Sequence, residues 1–456
     1  MTRSAPRRLR VGIAVAAIAA TVLVTTGCSA SEDDEAAATE PITVWTGESQ
    51  AERIAAMQVI IDAFTAESGI EVELVPIDET ELPQLVAAAA LAGDLPDVIG
   101  SVTLSQLREL QTQELLDTDI AADVVADLGA DTFSETALSL TADGDTQLGV
   151  PSDAWSELII YRTDRLEAAG VAAPETNADM LDAAAAMTAD GAYGVVLGTD
   201  ASQSFTTENF EALALRDGCQ LVDDSGEVAL DSAECADTFS AWGQMVQQYS
   251  PGGTQDVPST RASYFSGQSS MVVWSSFILD ELAGLRNDAL PSCPECAADS
   301  GWLASNSGII PAGLGEIVSW AVMDGASEAS SQAFIEYMLS TGYLDQLAFA
   351  PEGKFPVRLG TAENPTEYID GWAELPAGVD TKEPLGDVYP PEVIEALSNV
   401  TANMNRWGLS QGEGALLGSV YSELPLSQIL SDLGAGTITA EEAAQKAQEA
   451  VEELRG

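Results

Sequence analysis

Apolar residues recur at Ile54, Met57, Ile60, Ile61 and Phe64, just after a short alternating run, Ile42-Thr43-Val44-Trp45. The first set predicts a helix and the second a strand. Side chains three or four apart share a helix face, whereas alternate side chains share a strand face. Ser49 with Glu52 has the spacing of a capping box at the helix start. Gly69 tolerates the left-handed turn that ends a helix. Ile70, Val72 and Leu74 then alternate with Glu71 and Glu73, which predicts a second strand and so a β-α-β unit. The rhythm continues with helices over 82–91, 104–110, 164–169, 210–215, 235–249 and 330–339 and strands over 97–99, 158–161 and 271–274. Thr176 with Asp179 and Thr439 with Glu442 have capping-box spacing, the latter opening an amphipathic helix over 439–454. Strands alternating with helices predict an α/β chain, with a mostly parallel sheet covered on both faces.

Two segments near the start break this rhythm. Arg3, Arg7, Arg8 and Arg10 precede an apolar run over 11–24, too short to span a bilayer comfortably. A basic start, a short apolar core and small residues after it make 1–27 a secretory signal. Cys28 directly after Gly27 resembles the bacterial lipoprotein signal, in which the cysteine is lipidated and becomes the new N-terminus. The Leu usual three residues before that cysteine is Thr25 here. The alternative is an ordinary secretory signal in which Cys28 is incidental. Residues 28–40 are an acidic tether with no hydrophobic period. The resemblance implies a chain on the extracellular face of the cell membrane, held there by lipid.

Charge sharpens this picture. The full chain carries 17 basic and 73 acidic residues. Without the four arginines of the signal, 13 basic residues face the same 73 acids, a charge of −60. A 46% hydrophobic content excludes a disordered acidic chain. The missing cations exclude nucleic acid as a partner. Self-repulsion on this scale, screened by salt, points to a salty habitat. With Cys28 lipidated, four cysteines remain, and their spacing favours the local pairs Cys219–Cys235 and Cys293–Cys296. For the second pair a zinc half-site lacks nearby ligands, and outside the cell a disulfide is the simpler account.

The chain has no histidine. Gly408-Leu409-Ser410-Gln411-Gly412 therefore matches the serine-hydrolase elbow in pattern only, because no imidazole is available as base. There is no phosphate-binding Walker loop. Glycosidase chemistry needs just two carboxylates, and no spacing singles out a pair. No enzyme, cofactor or metal is expected. Without histidine, solute affinity is expected to vary little between pH 6 and 8.

Five stretches, in order, resemble the extracellular solute-binding proteins of ABC importers, of the sugar-binding type (family 1). The first is Ile42-Thr43-Val44-Trp45. The second, Gly93-Asp94-Leu95-Pro96-Asp97-Val98, is similar to that family's Gly-Asp-x-Pro-Asp-Val. The third is Gly149-Val150-Pro151 followed by Tyr161-Arg162, where the family has Tyr-Asn. The fourth, Phe265-Ser266-Gly267-Gln268-Ser269-Ser270-Met271, is similar to its Phe-x-x-Gly-x-x-x-Met. The fifth is 333–340, with Phe355-Pro356-Val357-Arg358 after it. The resemblance implies a two-lobed fold with a ligand cleft and several crossovers. Lobe 1 would take 41–150 with about 301–355 returning, and lobe 2 would take 151–300 with about 356–456. It also implies a monomer that captures a small neutral carbohydrate by hinge closure and delivers it to permease subunits. A sugar-sensing lipoprotein and a secreted carbohydrate-active enzyme are the other readings.

In open α/β sheets ligands lie beyond the carboxyl ends of strands. That rule selects Trp45, Glu48 and Ser49, then Gly100 and Ser101, then Asp153 and Trp155, then Trp274 and Phe277, with Trp302 near the return crossover. Indole rings suit the C–H face of a sugar, and carboxylates accept from its hydroxyls.

Overall fold

A seven-stranded sheet organises the chain. The computed structural model describes residues 40–78, 81–189, 191–286 and 302–455. The strands are β1 (Ile42–Thr46), β2 (Val72–Pro76), β3 (Val98–Val102), β4 (Val150–Arg162), β5 (Met271–Ser275), β6 (Ser307–Val322) and β7 (Phe355–Pro356). They lie in the order β2-β1-β3-β6-β4-β5, with β7 added to β4. Among these seven strands the parallel pairs are β1–β2 and β1–β3. The β3–β6, β4–β6, β4–β5 and β4–β7 pairs are antiparallel. The expected mostly parallel sheet is therefore mixed. Alternation of strands and helices fixes what separates two strands, not the direction in which the next one enters the sheet.

β4 also differs from its expected form. The short strand over 158–161 is the second half of one continuous strand, and Asp153 and Trp155 lie within it rather than in a loop. Its partner β6 is longer still. Val150 of β4 and Trp320 and Val322 of β6 belong to a core built on β1 and the helix after it. Ala154 to Ile160 of β4 and Ile309 to Ile317 of β6 belong to a larger core that runs on to the C-terminal helix. These two strands thus thread from one core into the other.

The helices used below are α1 (Ala51–Ser68), α2 (Leu82–Ala92), α3 (Leu104–Thr112), α4 (Asn177–Met187), α5 (Ser204–Arg216), α6 (Ala233–Tyr249), α7 (Gly414–Glu423) and α8 (Ala440–Leu454). α1 buries Met57, Ile60, Ile61 and Phe64 and stops at Gly69 with φ 78°. Its expected Ser49–Glu52 capping box does not form. The cap position is Gln50, without a side-chain bond, because the chain turns into the helix one residue later and leaves Ser49 exposed. The boxes at Thr176 before α4 and at Thr439 before α8 do form, as does one at Thr103 before α3. Cys219, after α5, and Cys235, in the first turn of α6, are buried and joined by a disulfide. Cys28, Cys293 and Cys296 lie outside the described residues. Among those residues no helix is long and apolar enough to cross a membrane, and no cluster of metal-ligating side chains occurs.

Candidate functional site

The loop after β1 and the turn after β5 meet across a groove of about 390 Å³. Gly47, Glu48, Ser49 and Gln50 form one wall, with Arg53 from the first turn of α1. Trp274 and Phe277 face them, with Glu281, Arg286 and Glu352 completing the lining. A second groove of about 380 Å³ is continuous with it through Gln50, Arg53, Arg286 and Glu352, and reaches Lys382 and Val379. The apolar crevice between Leu82, Val86 and Leu110 holds only about 20 Å³, room for little more than one water. A solute of sugar size fits the two grooves and not this crevice.

Four of the chain's rare cations, Arg53, Arg286, Lys354 and Lys382, gather around these grooves. The Lys354 ammonium, 6% exposed, sits 2.9 Å from Glu48 and 3.3 Å from Asp153. Arg53 takes the other oxygen of Glu48 at 3.2 Å. Burial alone would raise the pKa of Glu48, but Lys354 and then Arg53 outweigh it and bring it down to about 2. Burial likewise opposes the charge on Lys354, and Asp153 and Glu48 reverse that and raise its pKa. Glu48 is thus ionised, and the shared ammonium holds both carboxylates in place. The Phe277 ring lies 5.8 Å below the Arg53 guanidinium. It also packs on the Gly353 backbone, where an added Cβ would fall 1.9 Å from a ring carbon. Behind it, burial and the charge of Glu352 push buried Asp280 up to about 7.

The groove brings together Glu48, Ser49, Trp274 and Phe277 of the residues selected from sequence. Asp153 is 2% exposed and touches the groove only through Lys354. It also accepts from the Ser152 hydroxyl at 2.8 Å. Trp45 is half-buried and packs on the core of Ile77, Leu82 and Val86, away from the lining. Gly100 is covered by the Trp320 ring, which an added Cβ would meet at 2.4 Å, so its smallness serves packing. Ser101 adopts φ 62° where β3 shifts register against β6. Trp155 is half-buried in β4 against the large core. Trp302 opens a short helix, Trp302–Ser305, and its side chain lies outside the described residues. Sequence reasoning missed Arg53, Glu281, Arg286, Glu352 and Lys354. Lys354 carried a usable signal: it is one of three lysines in the chain and directly precedes Phe355-Pro356. The hydrolase-like Gly408-Leu409-Ser410-Gln411-Gly412 is a turn before α7, with no strand leading into it.

Comparison with known proteins bears on the family and the fold. Residues 59–377 match the family model described as bacterial extracellular solute-binding protein. An Escherichia coli protein, YcjN, described as an ABC transporter periplasmic-binding protein, is 28% identical over 233 residues. That match covers 50% of this chain, and the chain spans about half (54%) of the length of that relative. The sugar-binding protein MalE of Xanthomonas citri superposes with a TM-score of 0.69 at 17% identity, over 91% of this chain and 97% of that one. The cyclic alpha-maltosyl-1,6-maltose binding protein of Arthrobacter globiformis gives 0.67 at 18%, over 91% and 98%. A solute-binding protein of Agrobacterium vitis, solved with D-mannitol, gives 0.58 at 19%, over 91% and 98%. These structures share the fold, a two-lobed α/β architecture, and the relatives serve transport rather than catalysis. The chain belongs to the bacterial extracellular solute-binding protein family.

Proposed function

We propose that this chain is the lipid-anchored substrate-binding component of an ABC importer, capturing a neutral carbohydrate or polyol and passing it to the permease. The observation that carries this reading is the groove itself. It sets two aromatic faces, Trp274 and Phe277, against charges of both signs: Glu48, paired with Arg53, and Glu281 and Arg286 in the same lining. A polyhydroxyl solute needs this mixture, since each hydroxyl both donates and accepts while the ring presents apolar C–H groups. The structural neighbours named above bind a maltosyl oligosaccharide in one case and D-mannitol in another.

Capture is by closure of two lobes, 41–150 with about 301–355 and 151–300 with about 356–456. Separate cores on the two sides, and the long strands β4 and β6 that thread from one to the other, support two lobes, with Ile309 to Ile317 packed in the larger core. Such strands are suited to act as hinges. Residues 1–27 are the signal, and Cys28 carries the lipid. Thermal shift and titration calorimetry over neutral mono- and oligosaccharides and polyols, beside amino acids, peptides and phosphate, test the solute class. Binding confined to an amino acid or phosphate overturns it. Intact mass of membrane-extracted protein tests the anchor: a chain starting at Cys28 with acyl mass is expected, and an unmodified soluble chain overturns it.

A further inference from the structure

The two grooves meet at one buried carboxyl group. Glu352 lines both of them, is 6% exposed, and its Oε2 has no hydrogen-bond partner. Several buried side-chain oxygens lack partners, but among the described residues Glu352 alone combines that with a place in both linings. The next residue, Gly353, lies against the Phe277 ring, which keeps Glu352 beside the aromatic wall of the first groove. Burial lifts its pKa, against the pull of its own amide and of Arg53, Arg286 and Lys382. In either protonation state a carboxyl group accepts from a hydroxyl, and when protonated it also donates.

The second groove has a fixed wall of its own. A small hairpin pairs Pro376–Ala377 with Glu383–Pro384. Its tip is pinned from below, because the N–H groups of Val379, Asp380 and Thr381 donate to the Leu285 carbonyl at 3.3, 3.2 and 3.2 Å. Gly378 makes the turn at φ 97°, where an added Cβ would fall 2.5 Å from the Leu285 Cβ. The pinned tip holds Val379, 55% exposed, in the groove lining, together with half-buried Phe349. Glu52 and Lys382 add one charge of each sign. This repeats the make-up of the first groove, an apolar face beside charges of both signs.

At about 390 and 380 Å³, each groove is at the small end for a small-molecule site, which runs from roughly 300 to 1,000 Å³. One sugar ring in the first groove leaves the second unused. A ring joined to it passes Glu352 and enters the second. We propose that the grooves are two consecutive sugar subsites, so that the solute is a disaccharide or longer. One ring lies against Trp274 and Phe277, the next against Phe349 and Val379, and Glu352 takes a hydroxyl at the junction. This rests on the carbohydrate reading and gives that solute a minimum length. Once the first ring is held, the second binds as an intramolecular event, so the linked pair gains affinity over either ring alone.

The test is titration calorimetry on wild type, Val379→Asp and Glu352→Gln. The probes are glucose, galactose, mannose, fructose, xylose, arabinose and mannitol, beside the di- and trisaccharides of those sugars. Wild type is expected to bind one di- or trisaccharide at least tenfold more tightly than its constituent monosaccharides. Val379→Asp puts a hydrated charge on the second apolar face. It is expected to weaken that sugar at least threefold, and its monosaccharides less. Glu352→Gln keeps the side-chain shape and is expected to weaken it at least fivefold. A monosaccharide or mannitol bound as tightly as any longer sugar overturns the paired subsites. Unchanged affinity in either folded variant, or an equal loss for both sugar lengths in Val379→Asp, does the same. Each of these results leaves the carbohydrate reading standing, whereas silence of wild type across the whole panel overturns both. Val379→Asp, at an exposed position, decides the matter if Glu352→Gln does not fold.

Discussion

Lys354 lies 2.9 Å from Glu48, so the loop after β1 is fastened to the strand pair β4–β7 by one buried ammonium. The same ammonium holds Asp153 of β4 at 3.3 Å. In a chain this poor in lysine, the contact fixes the groove wall that sequence reasoning assigned to ligand hydroxyls. Glu48 is therefore a pre-positioned acceptor rather than a free one.

Removing Lys354 leaves two buried carboxylates facing each other. Lys354→Met is expected to lower stability by about 3–5 kcal/mol, the cost of breaking a buried ion pair from one side. Urea denaturation at neutral pH measures it. A loss below about 1 kcal/mol would mean that water reaches and solvates both acids.

Asp280 gives a histidine-free chain a titration near neutrality, and it acts on stability rather than on the solute affinity expected to vary little between pH 6 and 8. Burial, then the charge of Glu352, lifts its pKa from 3.8 to about 7. The folded state then holds the proton where the unfolded state has lost it. Stability falls as pH rises from about 4 to 7 and stays lower above that, by at most about 4 kcal/mol. Asp280→Asn should melt above wild type at pH 8 and level with it near pH 4. Parallel melting curves at both pH values would remove Asp280 as the cause. Glu48, brought down to about 2, has the opposite sign: its stabilisation is present above about pH 4.5 and is lost as pH falls through 2.

Gly353 has no side chain because the Phe277 ring occupies that space. Gly353→Ala is expected to displace the ring, costing about 1–3 kcal/mol in stability and weakening solute binding with it. In a Phe277→Ala background the same substitution should cost little more stability. A double-mutant cycle reads the coupling, and strict additivity would separate the two residues.

The formal charge of −56, or −60 once residues 1–27 are removed, predicts that melting temperature rises from low to molar ionic strength, since salt screens self-repulsion between surface acids. A flat response in a salt series would show the acids to be compensated locally, and the salty-habitat reading would fall.

The local rules of the chain were legible in its sequence. The apolar spacing of Ile54 to Phe64, the Gly69 stop and the capping residues Thr176 and Thr439 act within a few residues of themselves, so reading the chain finds them. The Cys219–Cys235 link followed from spacing too. Glu48, Ser49, Trp274 and Phe277 were reachable because they lie at the carboxyl ends of β1 and β5, where ligands sit in open α/β sheets. Only the tertiary structure decided strand direction, which made the sheet mixed. It also decided which side of the chain each candidate faces: it turned Trp45 into a core and set the Trp320 ring over Gly100. Most of all, it decided the partners of charged groups. Lys354 and Glu48 are more than three hundred residues apart in sequence, and Arg406 lies as far from α3, whose first amide shares Glu316 with it. Coulombic pairing and desolvation depend on distance and burial in space, and neither quantity is written in the order of residues.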